Sequence, residues 1–421
     1  MAAILDLDDW LLSVQVDGQL VYRQPAIALD TGSGIVFGER AASASRTQPR
    51  QVSATFVSRL SGEPLASPFR SARNHADVLY QQLRQLAASI PALTTMPVLV
   101  LVRGAITPDQ LGLFLGVAGE CGMRVGAFVD RLVASLASLG ERGDLVCLEL
   151  GADSGELGTI RIDDMATRQR VRDFPGQGLS QLLDGWANVI ADHFIRDTRF
   201  DPLHAAATEQ QLYDAVRAWF AAGRPDESIS IDHQGEIRRL DVQRDALTTR
   251  LHDRVQPLLR EVLPGQTLVL GPNAATTPLL AGLLRNAGCN LLIADHGAML
   301  THVEARAAGL LDPDEVRLYT SLPAAAPGVG TAAGARAASA TTPAATTLAT
   351  PNDASASARA RPASSPRAVH LPGRPTHGLH GAVAYAIGSE ELPAEAVAPA
   401  YPVGTALEVA GRLFTLIEVR P

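Results

Sequence analysis

Short apolar runs broken by turn residues open the chain. Ala3–Leu7 and Leu11–Val16 read as strands, and Asp17-Gly18, a pair that tolerates positive φ, joins the second to Leu20–Arg23 as a hairpin. Ile35–Phe37 adds a further strand. Over Ala72–Ser89 the spacing changes to a helical one, with Val78, Leu79, Leu83 and Leu86 on one face. Pro97–Val102 is a continuous apolar run, as in a strand covered on both faces. Thr107-Pro108-Asp109 then supplies an N-cap, a proline at the first helical position and an acid in the first turn, predicting a helix to about Gly122. Val125–Phe128 predicts a buried strand, Asp130–Leu139 a helix and Asp144–Leu150 a strand.

The same succession then recurs. Glu156–Ile162 and Arg168–Phe174 predict an antiparallel pair, and Leu179–Ile195 and Gln210–Ala222 predict helices. Ser228–Asp232 and Glu236–Leu240 flank His233-Gln234-Gly235 as a hairpin. A long helix is expected over Val242–Val262, a strand over Thr267–Leu270, a helix over Thr277–Asn286 and a strand over Asn290–Ile293. Two blocks that each open with hairpins and continue with alternating strands and helices predict a duplicated α/β core. The first lobe is expected over about 1–150 and the second over about 151–311, within a domain of residues 1–322. From 323 to 372 the residues are mostly Ala, Thr, Ser, Pro and Gly, too poor in large apolar side chains to offset the entropy of ordering, so this stretch is expected to be a disordered linker. Strand patterns return at Ala382–Ile387, Ala406–Val409 and Leu413–Val419, predicting a small β-rich unit over 373–421.

Composition narrows the function classes. The formal charge is −8 with acids dispersed along the chain, which gives no electrostatic footprint for nucleic acid. The chain contains no lysine, so all 36 basic residues are arginine and any chemistry that needs an ammonium side chain is excluded. Cys121, Cys147 and Cys289 are spaced neither for zinc nor for a disulfide framework and read as buried free thiols. Met1–Asp6 lacks a basic signal region, and no stretch approaches the ~20 apolar residues of a membrane span. A cytoplasmic protein without membrane insertion is therefore expected. The histidines His204, His233, His252, His296 and His302 are not spaced as metal ligands, and Asp295-His296-Gly297 reads as a turn.

Several segments, in order, resemble the ATPase domain of the DnaK-type heat-shock chaperones, within the actin, sugar kinase and heat-shock chaperone superfamily. They are Phe56-Val-Ser-Arg-Leu-Ser-Gly62, the strand–helix–strand–helix run Pro97–Leu139, the stretch Asp144–Leu157 in the place of the second phosphate loop, and Gln266–Leu284 in the place of the adenosine motif. The resemblance covers about three quarters of the chain and implies a two-lobed actin-like, ribonuclease H-like fold. It also implies that ATP with Mg²⁺ would be the ligand if any nucleotide were held.

The loops depart from the family pattern. Phosphates are held where tight turns bring backbone N–H groups close, which favours glycine and hydroxyl residues and disfavours anions. In the first loop Asp6 keeps the expected acid, but Asp8, Asp9 and Trp10 replace glycine and hydroxyls. In the second, Gly151 and Ser154 are retained, Ala152 and Asp153 replace glycines, and Glu149 replaces an aspartate. Ser58 stands where the catalytic lysine is expected, and Asp130 keeps the acid that begins the connecting helix. Gly176 and Gly178 match a glycine pair near the phosphates, and Arg217 matches one adenine-stacking arginine. Gly271 is retained before Pro272, which removes an N–H donor. Each motif has a plainer reading. Gly151 and Ser154 form either a phosphate cradle or a hairpin turn, and Arg217 is either an adenine platform or a surface ion-pair partner. Asp6 with Asp8 reads as solvated strand-end acids rather than a metal pair, so no metal site is expected.

The expectation is a pseudo-ATPase, with Asp6, Asp130 and Glu149 as vestiges of a catalytic set and no catalysis. It would be a scaffold that binds a protein partner. Two alternatives remain open at this point: a weak ATPase using Asp6, Asp130, Glu149 and Ser154 with Mg²⁺, and an actin-like assembly protein.

Overall fold

In the computed structural model, residues 2–263, 265–312 and 315–327 are described, together with four short strands nearer the C-terminus. Two six-stranded mixed sheets dominate. In the first, the order from one edge is Leu318–Tyr319, Arg124–Asp130, Pro97–Val102, Ala3–Asp6, Leu11–Val16, Gln19–Pro25. Ala3–Asp6 runs antiparallel to Leu11–Val16 and parallel to Pro97–Val102, which is parallel in turn to Arg124–Asp130. In the second, the order is Asn290–Ile293, Thr267–Leu270, Gly143–Leu150, Ser154–Ile162, Met165–Pro175, Ser321–Pro323. Gly143–Leu150 has the role there that Ala3–Asp6 has in the first sheet, antiparallel to one neighbour and parallel to the other. The second sheet thus has Gly143–Leu150 at its centre, across a seam from the first.

The period-two alternation of the central strands explains how both sheets are covered. Val98, Val100 and Val102 face a core shared with the helices His75–Ser89 and Pro108–Glu120. Leu99 and Leu101 face the opposite way, into a layer that also takes Cys147, Ile160 and Val269 from the second sheet. Two helices, Arg131–Ala137 and His296–Glu304, contribute Leu132, Val133, Leu136, Met299, Leu300 and Val303 to that layer. The outer face of the second sheet is covered by Leu179–Thr198, Ala206–Ala222 and Arg244–Leu259, with Trp186 and Trp219 fully buried.

Most predicted elements form with ends moved by a few residues. Asp17 and Gly18 both have positive φ (47° and 75°), as do Gln234 and Gly235 (56° and 84°), so both hairpins close as expected. The single helix expected over Thr277–Asn286 is instead two, Pro272–Thr276 and Leu280–Asn286. Pro278 forces Thr277 out of the helical region and breaks the run. The segment 294–322, left without elements by periodicity, supplies the helix His296–Glu304 and two edge strands separated by one residue. Leu318–Tyr319 joins the first sheet and Ser321–Pro323 the second. The expected linker also starts late. Ala324 donates its N–H to Asp164 O (2.9 Å) and Ala325 to Ala137 O (2.7 Å), so the first residues of 323–372 belong to the folded body. The rest of that stretch lies outside the described residues, as does most of the unit expected over 373–421. Within that unit Ala406–Val409 pairs with Arg412–Thr415, and Ala382–Val383 with Ile417–Glu418. Of the cysteines, Cys147 is buried, whereas Cys121 and Cys289 are half-buried, and all three thiols are free. Among the described residues no helix is long and apolar enough to cross a membrane.

Candidate functional site

The carboxyl ends of the two central strands meet at the seam, and the loops that follow them face each other across it. Asp6 ends its strand, Asp8 and Asp9 lie in the turn after it, and Glu149 is the penultimate residue of Gly143–Leu150. All four are buried. Between them projects Arg131, the first residue of the helix Arg131–Ala137, itself only 4% exposed. Its Nε lies 3.1 Å from Asp6, and its two terminal nitrogens lie 2.9 Å from Asp8 and 2.5 Å from Glu149. A planar guanidinium presents donors in several directions at once, so one side chain satisfies three carboxylates at the ends of strands from both sheets.

The carboxylates have further donors besides Arg131. His296 Nε2 approaches Asp6 at 2.9 Å, and Asn273 Nδ2 donates to Asp8 at 2.6 Å. Glu149 accepts the backbone N–H groups of Leu150, Asn273 and Ala274 at 2.9–3.1 Å. Gly271 is required here, because a Cβ on it would stand 2.5 Å from the Glu149 carboxylate. Pro272 occupies the first position of the short helix, where an N–H would have had no helical partner. Asp9 lies against Gly151 and accepts the N–H of Ala152 at 2.9 Å.

In the loop Gly151–Ser154 the N–H groups of Gly151, Ala152 and Asp153 therefore already have acceptors. Its carbonyls cap the next helix: Leu179 N–H donates to Gly151 O (2.8 Å) and Ser180 N–H to Ala152 O (3.0 Å). Gly178 packs so closely that a Cβ would sit 2.4 Å from Ala152 O. Gly176 adopts φ 75° and offers its carbonyl to Arg254 at 2.9 Å. Ser154 Oγ accepts from Arg103, which also binds Glu156 (2.9 Å) and Asp173 (2.5 Å). Asp153 turns away from the seam to Arg59 at 3.1 Å and Gln181 at 3.2 Å, so it adds no unpaired anion there.

Burial works against this much charge. Desolvation pushes the Glu149 carboxyl up to about 7, against the pull of Arg131 and the backbone donors, and pushes Asp9 up to about 6, with the Asp8 charge adding to the rise. Asp130 is also raised to about 6 by burial, although Arg168 holds it at 2.6 Å and it caps the N–H groups of Leu132 and Val133. For Asp6 burial acts upward too, but Arg131 and His296 outweigh it and the carboxyl lies below its ordinary value. The space left at the seam, between Arg131, Asp9, Arg103 and Glu156, is about 30 Å³. That accommodates one or two water molecules, whereas small-molecule pockets span roughly 300–1,000 Å³.

The sequence-predicted residues separate into two groups. Asp6, Glu149, Gly151, Ser154, Gly178 and Gly271 do converge at the seam, with Asp130 and Gly176 close behind. Arg217 does not take part: it pairs with Glu39 at 2.7 Å and Asp214 at 3.6 Å. Ser58 lies nearby with its hydroxyl on Thr55 O. Asp295-His296-Gly297 is no simple turn, since Asp295 caps the helix His296–Glu304 and thereby aims His296 at Asp6. Arg131, Asn273, His296, Arg103 and Glu156 were missed. The one local signal was an arginine set in the apolar run Phe128-Val-Asp-Arg-Leu-Val-Ala134, where a charge without a partner would not be buried. Among the described residues no three His, Cys, Asp or Glu side chains are arranged to hold a metal ion. Compared with protein-family models and with curated proteins, the chain matches none at a significant level.

Proposed function

We propose that this chain is a nucleotide-independent scaffold, a degenerate relative of the DnaK-type chaperone ATPase domain with a two-lobed actin-like fold, which acts by binding a protein partner. The observation that carries this reading is Arg131, whose guanidinium occupies the point where Asp6, Asp8 and Glu149 converge. A fixed cation there takes the carboxylates that a bound metal would otherwise draw on. The Asp9 and Glu149 carboxylates take N–H donors of Ala152, Asn273 and Ala274 that would otherwise be free for phosphate oxygens. The matching order of five strands in each of the two sheets supports the relationship to the superfamily.

A thermal-shift titration with Mg-ATP tests it. A ligand at 100 times its Kd stabilises the native state by about 2.7 kcal/mol. No rise in melting temperature is expected at millimolar Mg-ATP, and a rise of several degrees would overturn the reading in favour of an ATP-binding protein.

A further inference from the structure

Beyond the seam, the short helix Glu39–Ala42 and the residues after it cross from the first lobe onto Leu179–Thr198 and Ala206–Ala222 of the second. The crossing is built around one arginine. The Arg46 guanidinium lies 3.5 Å from the centre of the Tyr213 ring, donates to Asp184 at 2.8 Å and stands 3.8 Å from Glu209. Tyr213 donates its hydroxyl to the same Asp184 oxygen at 2.6 Å, which fixes that carboxylate in place. The buried amide of Gln210 reads the backbone in both directions, accepting the Arg46 N–H at 2.7 Å and donating to Ala42 O at 3.0 Å.

An aromatic face and two carboxylates are the elements that recognise an arginine, and an amide bridging Ala42 O and the Arg46 N–H four residues on fits that arginine within a helical turn of peptide. The resident arginine fills them imperfectly, because Arg46 Nε is buried with no hydrogen-bond partner. Taking the chain as a protein-binding scaffold, we propose that the notch of Asp184, Glu209, Gln210 and Tyr213 docks an arginine-bearing turn of a protein partner, and that Arg46 occupies it in cis.

The test uses the full chain and a labelled synthetic peptide with the sequence of residues 42–50, Ala-Ser-Ala-Ser-Arg-Thr-Gln-Pro-Arg, followed by fluorescence anisotropy. A tethered competitor acts at an effective concentration on the order of millimolar. The Arg46→Ala chain is therefore expected to bind the peptide at least tenfold more tightly than the unmodified chain. Lysine at the fifth peptide position should weaken binding at least tenfold, since an ammonium neither stacks on the ring nor forks to the carboxylates. Adding Asp184→Asn to Arg46→Ala should abolish binding. Failure of the Arg46→Ala chain to bind, or binding indifferent to the lysine peptide or to Asp184→Asn, overturns the proposal. Should Arg46→Ala not fold, Arg46→Gln serves in its place with the same outcomes. None of these arms contains nucleotide, so an ATP-induced thermal shift would withdraw the scaffold reading without deciding the notch.

Discussion

Arg131→Met removes the guanidinium at the seam while keeping a side chain of similar reach. The three carboxylates it serves, Asp6, Asp8 and Glu149, are each less than a tenth exposed and would lose their shared cation. Removing one partner of a buried pair costs about 3–5 kcal/mol, because the other charge stays desolvated. Here three anions are stranded together, which places the cost near the top of that range, about 5 kcal/mol at pH 8. An unfolding entropy of roughly 2.1 cal/mol/K per residue, over a folded body of roughly 320 residues, makes each kcal/mol worth about 1.5 °C, so the melting temperature should fall by about 7 °C. A second expectation follows from the same charges. Without Arg131 the carboxylates are driven to take up protons, so the variant should regain much of the loss between pH 8 and pH 5.5. Differential scanning calorimetry at several pH values measures both, with Arg131→Lys falling between, since lysine restores one charge but not the fork. A fall of less than 3 °C at pH 8, or a deficit that does not change with pH, would refute the view that this residue neutralises the seam.

The unmodified chain should itself be more stable in mild acid. The folded-state values of Glu149 (about 7) and Asp130 (about 6) lie above those of the unfolded chain, so stability falls as pH rises through that window and levels off above it. From pH 5.5 to 7.5 these two carboxyls and Asp9 (about 6) together lose roughly 3–4 kcal/mol. His302, lowered to about 4 by burial, returns roughly 1 kcal/mol, and the net loss is about 2 kcal/mol. A melting temperature that rose over this interval would contradict the assignment. Gly178→Ala sets a methyl group 2.4 Å from the backbone carbonyl of Ala152, an atom that cannot swing aside. It should cost about 1–3 kcal/mol in urea unfolding, and a neutral result would mean that the Gly151–Ser154 loop is not packed on this helix start.

Local pattern carried most of the elements. The alternation in Ala3–Asp6 and Leu11–Val16, the cap at Thr107 and the turn at Asp17-Gly18 need only neighbouring residues to act. The loop residues Asp6, Glu149, Gly151 and Gly271 were legible for a related reason: strand ends followed by small or acidic residues face outward at a sheet's carboxyl edge. What they do there was not legible. Asp8, Asp9 and Asp153 read as unpaired anions that would repel phosphate, yet each has a partner, and those partners are up to 265 residues distant along the chain. The helix His296–Glu304 buries only Met299, Leu300, His302 and Val303, too short a run for its period to stand out, and so its histidine was passed over.

From the sequence alone come the α/β class, the repeated order of strands and helices and the absence of any lysine, because backbone geometry and composition are set residue by residue. The tertiary structure alone decided that Arg131 enters the seam and that the seam is closed. Whether a charge can be buried depends on which opposite charges the fold brings within about 3 Å of it, and Asp6, Asp8 and Glu149 come within reach of Arg131 in space only.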